Sequence, residues 1–493
     1  MPTISQALST ALEHHQANRW QQAEAIYRQI LAQVPDHPDA THLLGTLAMQ
    51  TGRTAEGLPL LERAAAAQPT NVAFATNLAA AYISLDRADE ALAPLENALR
   101  YDPDQATAHY HLGLVHAAGD RLDEAIAAYR RAAEVDPTMS AARNNLGDAL
   151  RIRGRLEEAA FELDAAVAAE PQSPYAHYNR ALVWLAQGRM PEAWAEYEWR
   201  WRCREFPQRK FEAPRWDGAP LANKILLVHA EQGLGDCIQM VRYLSLVRQR
   251  VGQVRVNVPS ALIPLFRSSG IADLVTPGEA VSFDVHVPMA SLPLMFETTL
   301  ATIPGGVPYL HAEPWLVAQW RARLAEHPGF RVGIAWQGSP TYREDRYRSI
   351  PLDRFSGLAD VRGVVLVSLQ KGFGCEQLTE GARRFEIVDL GGDVDRTSGP
   401  FLDTAAIMQN LDLVITSDTS TAHLAGALGV PVWVALGASP DWRWLSDRDD
   451  SPWYPSMRLF RQKDWGRWDD VFATMAATLA ELVGRTRSRE VLP

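Results

Sequence analysis

Small and large apolar positions recur every 34 residues along the first two-fifths of the chain. Small residues stand at Ala23, Gly57, Ala91, Ala125, Ala159 and Ala193, and four residues on come Tyr27, Leu61, Leu95, Tyr129, Leu163 and Tyr197. Prolines keep the same interval at Pro35, Pro69, Pro103, Pro137 and Pro171, as do Leu44-Gly45, Leu78-Ala79, Leu112-Gly113 and Leu146-Gly147. Each unit predicts two antiparallel helices. The small residue sits where they cross, the large one packs over the pair, and the proline stops the second helix. One pair cannot bury its apolar face alone, so six units are expected to stack into a right-handed superhelix. The sixth departs from the pattern: Ala193 to Arg202 carries three tryptophans, and Glu205 takes the proline position. A terminal unit of that composition is expected to face protein rather than water.

The period changes after Lys224. Short apolar runs predict strands at 225–229, 254–258 and 283–287, then at 331–336, 364–369, 385–390, 413–416 and 430–436. Helical stretches separate them, including 237–250 and 314–326, and a closing helix at 468–483 is expected to pack across both groups of strands. The alternation predicts α/β architecture: two Rossmann-like, doubly wound halves with a cleft between them. The expected organisation is six helix pairs over 1–207, a packed connector over 208–222, a first half over 223–311 and a second over 312–493.

Composition narrows the classes. With 493 residues, 47% hydrophobic and 22% charged, the chain reads as a soluble globular protein rather than a disordered one. A net charge of −11 disfavours nucleic acid and anionic lipid as partners. Cys203, Cys237 and Cys375 are too few for a disulfide framework or zinc site and suit a reducing compartment. The start of the sequence lacks a basic, apolar leader, and no apolar run reaches membrane-spanning length. A cytoplasmic location is expected. Only four lysines occur, Lys210, Lys224, Lys371 and Lys463, so each invites a specific explanation. The first 205 residues hold 27 acidic and 18 basic side chains, a mostly solvated face.

One segment carries the densest chemistry. Residues 413–431 read as strand, polar turn, helix, glycine stop and strand. Asp418, Thr419 and Thr421 fall at the start of that helix, where free N–H groups and the helix dipole suit a diphosphate. The same pattern is also met by ordinary capping with His423 buried. Asp393-Val394-Asp395 has a D-x-D spacing that can hold Mn²⁺ beside a diphosphate. It follows Gly391-Gly392 in a loop, and no metal site is expected.

These motifs bear two resemblances. The helical units resemble the tetratricopeptide repeat over 4–207, which implies a groove for a peptide or protein. Asn77 and Asn145 sit on the inner helices, placed either to hold a peptide backbone or to bond within the solenoid. Gly233-Leu234-Gly235-Asp236 and Ser417 to Trp433 resemble the heptosyltransferase-like glycosyltransferases of GT-B fold. So do Trp336 to Ser339, Arg348 to Leu352, Ser368 to Gly372, and the tryptophan-rich stretch from Asp441 to Pro455. The likeness covers roughly 213–465. The architecture is similar to O-GlcNAc transferases and bacterial flagellin glycosyltransferases.

The resemblance implies Asp236 as general base, with Gly233 and Gly235 letting backbone approach substrate. It implies Arg348, with Arg346 as a nearby substitute, on the donor diphosphate. Lys371 is assigned to phosphate or ribose, and Gln370 to base or ribose. Asp418, Thr419, Ser420 and Thr421 are assigned to sugar hydroxyls and phosphate, with His423 below them. Gly338 supplies loop backbone, and Trp336, Trp442, Trp444 and Trp453 are candidate pocket walls. The implied activity is inverting, metal-independent transfer from a nucleotide-sugar to a serine or threonine hydroxyl of a protein held by the repeats, flagellin being one candidate. No cofactor beyond the donor is implied. A saccharide acceptor and a non-catalytic scaffold are the alternatives.

Overall fold

The computed structural model describes residues 3–207, 209–342, 344–381 and 384–490. Met1 and Gln208, where two expected segments begin, lie outside the described residues, as do 491–493 at the end of the last one. The chain divides into two compact units, Met1–Asn179 and Arg180–Pro493.

The first unit is a tetratricopeptide-repeat superhelix. Its helices are α1 Ile4–Gln16, α2 Trp20–Gln33, α3 Pro38–Gln50, α4 Thr54–Ala67, α5 Val72–Ser84, α6 Leu92–Tyr101, α7 Ala106–Ala118, α8 Leu122–Val135, α9 Ser140–Ile152 and α10 Leu156–Ala169. They pack in consecutive pairs. All the large residues of the repeat pattern are buried. The crossing points need small residues: a Cβ on Gly57 would lie 2.6 Å from the carbonyl oxygen of Gly45. The third pair differs, because a tight turn at Ala88–Ala91 precedes α6. Pro94 has no N–H to offer the carbonyl of Glu90, which accounts for the break there.

Polar side chains on the inner helices join neighbouring units at a spacing of 35. His42 Nε2 meets Asn77 Nδ2 at 2.9 Å, Asn145 Nδ2 donates to Tyr110 Oη at 3.5 Å, and Asn179 Nδ2 donates to Asn144 Oδ1 at 3.0 Å. The structure therefore selects one of the two expectations for Asn77 and Asn145: their amides bond within the solenoid.

The second unit begins within α11 (Pro174–Ala186) and continues through α12 (Met190–Tyr197) and the turn Glu198–Arg202. Two parallel sheets follow. The first contains β1 Leu221–His229, β2 Val251–Asn257, β3 Leu274–Val275 and β4 Val285–Pro288, in the order β3-β2-β1-β4. The second contains β5 Phe330–Ala335, β6 Val364–Ser368, β7 Leu413–Ser417, β8 Val432–Leu436 and β9 Met457–Arg461, in the order β6-β5-β7-β8-β9. Within each sheet every pairing is parallel. Strands β7 and β8 are buried along their whole length, which explains their unbroken apolar sequence. The helices that matter for the site are α13 Leu234–Met240, α14 Leu244–Arg250, α15 Pro314–Leu324, α16 Leu402–Met408, α17 Ser420–Ala427 and α18 Trp468–Glu490.

Three expectations need correction. The run at 385–390 makes only an isolated bridge, Val388 with Val367, beside β6. Strands β3 and β9 were missed: β3 has two residues, and β9 is an edge strand whose arginines at 458 and 461 break the apolar run. Helix α18 packs on the second sheet, and among the described residues its buried core contacts are with that sheet. Its Trp468, Phe472, Met475 and Leu479 join Val332, Ile334 and Phe355 in one core. The connector adds to the first sheet's edge, where Arg215 bridges His286 and the buried Trp216 donates its N–H to the His286 carbonyl at 2.8 Å.

Candidate active site

Open parallel sheets offer a crevice where the strand order reverses. In the second sheet that point lies between β5 and β7. The loop after β5 carries Gly338, Tyr342 and Arg348. The loop after β7 carries Asp418 and Thr419 and leads into α17. Thr419 is the N-cap residue of α17, but no side chain caps the helix. Ser420 and Thr421 form its first turn. The Ser417 hydroxyl, fully buried at the end of β7, has no hydrogen-bond partner.

Arg348 is held from behind. Its Nε donates to Asp345 Oδ1 at 3.0 Å, its guanidinium lies 4.6 Å from the Tyr342 ring centroid, and Ser349 Oγ donates to Asp345 Oδ2 at 2.7 Å. Gly338 leaves room for this: a Cβ there would lie 2.7 Å from Arg348 Nη2. Arg346 turns away onto Tyr347, donating to its hydroxyl at 2.8 Å. Of these two, Arg348 is the one whose charge acts on Asp418.

Asp418 is pushed up to about 6. Burial is the main cause and the charge of Asp441 adds to it, while Arg348, the Trp444 indole N–H and Arg443 oppose it. The Trp444 indole N–H lies close enough to favour this carboxylate without forming a hydrogen bond to it.

Asp236 comes to the same place from the other half. It is the third residue of α13, where its Oδ2 accepts from the Gly233 N–H at 2.8 Å. Its Oδ1 is ion-paired with Arg443. That buried guanidinium also donates to Asp441 Oδ1 at 2.8 Å and to Gln239 Oε1 at 2.7 Å. A second arginine runs the opposite way. Arg242, just past α13, donates to the Trp453 carbonyl at 2.7 Å and to Tyr309 Oη at 3.0 Å. The two halves are thus joined by reciprocal arginines.

Helices α13 and α17 also pack directly together. Gly235 makes this contact close, since a Cβ there would lie 2.8 Å from His423 Cδ2. The absence of a side chain at Gly235 therefore admits the other helix. His423 is buried under the site, stacked on Trp444 with centroids 5.2 Å apart, and its Nδ1 is 2.9 Å from Tyr454 Oη. Burial, with Arg443, Arg242 and Arg348 nearby, drives its imidazole towards the neutral form.

Several expected contacts fall elsewhere. Gln370 is a brace: its Oε1 accepts from Trp336 N and Gln337 N at 2.9 and 3.1 Å, and its Nε2 donates to the carbonyls of Gln337 and Phe373. Its amide cannot also read a base, because the loop it supports already uses it. The Lys371 ammonium rests on the Val394 carbonyl. Trp336 lies in the core beneath the second sheet, and Trp444 and Trp453 are also fully buried. Trp442 packs edge-on against Trp194, at 5.5 Å, and against Trp453. All four rings are buried in packing contacts, and Trp444 also stands beside Asp418. In the D-x-D segment, Asp395 accepts from the Thr404 N–H and hydroxyl at the start of α16. It is a helix brace, and among the described residues no cluster of three or more His, Cys, Asp or Glu could hold a metal ion.

Sequence reasoning overlooked Arg443 and Asp441, although both stand in a motif it singled out. An arginine between two tryptophans, two residues after an aspartate, was the available signal. No helix among the described residues is long and apolar enough to cross a membrane.

Comparison with known proteins bears on both units. Residues 8–72, 76–140 and 121–164 match the tetratricopeptide repeat family, and 147–188 match a TPR repeat family. Protein FlbA of Caulobacter vibrioides is 29% identical over 321 residues, covering 59% of this chain and 52% of FlbA. The chain spans about half the length of that relative, and the matched stretch is longer than the repeats, so it reaches into the α/β unit. A tetratricopeptide repeat protein from Parabacteroides merdae is similar at 19% identity, covering 40% of this chain and 77% of that one, with a TM-score of 0.34. A thermophilic TPR protein of Thermus thermophilus is 22% identical, with coverage of 37% and 100% and a TM-score of 0.33.

Proposed function

We propose that the chain is a glycosyltransferase of GT-B type, moving a sugar from a nucleotide-sugar to a hydroxyl of a protein acceptor engaged by the repeats. The observation that carries this reading is the meeting of two halves at one place. Arg348 and the uncapped start of α17 stand at the β5–β7 reversal point, and Asp236 reaches the same cluster through Arg443. The first group suits an anionic leaving group, and the second suits a proton acceptor.

In the reaction, the acceptor oxygen attacks the anomeric carbon as the bond to the diphosphate breaks. The hydroxyl proton passes to Asp236, and the departing diphosphate takes the bonding electron pair. Its growing charge is met by Arg348 and by the N–H groups of Ser420 and Thr421. Asp418 and Thr419 face the sugar hydroxyls, where a carboxylate accepts hydrogen bonds. Attack opposite the leaving group inverts the anomeric centre. The repeats support a protein acceptor, with a serine or threonine hydroxyl as the proposed target.

The test is a melting-temperature panel with UDP, GDP, ADP and CMP in EDTA, followed by a radiolabelled transfer assay. One nucleotide is expected to stabilise the wild type; at ~100 times its Kd the gain is about 2.7 kcal/mol. Arg348→Ala should lose that shift. Asp236→Ala should keep it and lose transfer by roughly 100-fold or more. If no nucleotide shifts the wild type, the transferase reading is wrong and a repeat scaffold with an inactive α/β unit takes its place.

A further inference from the structure

The first sheet has its own reversal point, between β1 and β4. A ligand would ordinarily sit there. Here the chain fills it with its own guanidinium. Arg200, from the turn after α12, is fully buried. Its Nη1 donates to Glu198 Oε1 at 2.6 Å and to the Tyr197 carbonyl at 3.1 Å. Its Nη2 donates to Ser291 Oγ at 2.7 Å and to Glu231 Oε1 at 3.2 Å. Glu231 follows β1 and Ser291 follows β4. The same Glu231 oxygen accepts from the Ala290 N–H at 3.0 Å, closing the crevice.

One residue further on, the Gln232 amide donates to Tyr197 Oη at 2.7 Å. Gly233 is then held by Asp236 itself. Three consecutive residues leading into α13 are thus fixed by side chains, and two of those side chains come from α12 and the turn after it. Trp194 of the same helix donates its indole N–H to the Thr298 carbonyl at 2.8 Å and packs on Trp442, beside Arg443. The segment therefore touches both sides of the Asp236–Arg443 pair.

We propose that Tyr197 and Arg200 are positioning residues of the transfer reaction. They fix Glu231 and Gln232, the two residues before the Gly233–Asp236 contact, so that the Asp236 carboxylate faces the donor crevice, and they make the sixth helix pair a working part of the transferase. This rests on the function proposed above.

The experiment uses the full-length chain and the nucleotide-sugar whose nucleotide gives the melting shift. Tyr197→Phe removes one hydroxyl and leaves the ring. It is expected to lower kcat about tenfold, as small misplacements of a reacting group do, with donor KM within about twofold and the nucleotide-induced melting shift unchanged. Gln232→Leu, at the other end of the bond, should give the same split, and the double variant should be no worse than either single one. Arg200→Lys should also lower kcat at constant donor KM. Unchanged kcat in Tyr197→Phe, or independent losses that multiply in the double variant, would overturn the assignment. A wild type that shows no nucleotide shift and no transfer instead sinks the proposed function, and this inference with it.

Discussion

Arg443→Met probes the centre of the site. The substitution keeps bulk and removes a guanidinium that serves Asp236, Asp441 and Gln239 together. Taking one partner out of a buried ion pair costs about 3–5 kcal/mol. Asp236 and Asp441 retain 24% and 30% side-chain exposure, so water recovers part of their solvation and the low end, about 3 kcal/mol, is expected. Urea unfolding followed by tryptophan fluorescence measures this cleanly, because every tryptophan except Trp20 lies in the second compact unit. With a slope near 3 kcal/mol/M the midpoint should fall by about 1 M. Asp236→Asn and the double variant complete a cycle, with an expected coupling of about 1–2 kcal/mol between the two sites. A midpoint shift under about 0.2 M, or additivity within about 0.3 kcal/mol, would refute the view that this pair holds the halves together.

Two further outcomes follow from single side chains. The Asp418 carboxyl, at about 6 when folded, stands above its unfolded value of about 3.9. The folded state therefore holds the extra proton, and the stability this contributes is complete below pH 4 and lost as pH rises through 6. Asp418→Asn should accordingly melt several degrees above the wild type at pH 8, by about 2–3 kcal/mol, and level with it at pH 4; an equal or lower melting temperature at pH 8 would remove the case for a strained carboxylate. Gly235→Ala should lower the urea midpoint by an amount worth about 1–3 kcal/mol, because His423 is pinned by Trp444 and Tyr454 and cannot yield to the new methyl. An unchanged midpoint would show that α13 and α17 can part without cost.

The repeats were legible because every unit solves the same packing problem with the same residues, so six imperfect copies report one rule. Strands β7 and β8 were legible because burial on both faces demands unbroken apolar sequence. Strand β9 was not, since an edge strand needs only one buried face. At the site, the loop after β7 was found from residue type and spacing and the other loops from the resemblance to heptosyltransferase-like glycosyltransferases, but the distribution of work was not. Gln370 is a polar residue beside strand β6, and sequence alone cannot tell an amide turned to a ligand from one spent on neighbouring backbone groups. Arg443 was hidden for the converse reason. Its partners Asp236 and Gln239 are some two hundred positions away, and no periodicity links them.

The reciprocal arginines also bear on how such a chain can be recombined. The glycine- and proline-rich stretch before residue 311 looks like a permissive junction for exchanging one half between relatives. An exchange there would present two foreign surfaces, each carrying a buried cation addressed to particular atoms of the half that was removed: Arg242 to the carbonyl of Trp453, and Arg443 to Asp236 and Gln239. Both mismatches would arise in a single event, so a hybrid is viable only if the acid on α13 and the arginine near Asp441 travel together. The first five 34-residue units carry no such debt, because each meets its neighbour through a register that they share, whereas the sixth sends Arg200 and Tyr197 to Glu231 and Gln232.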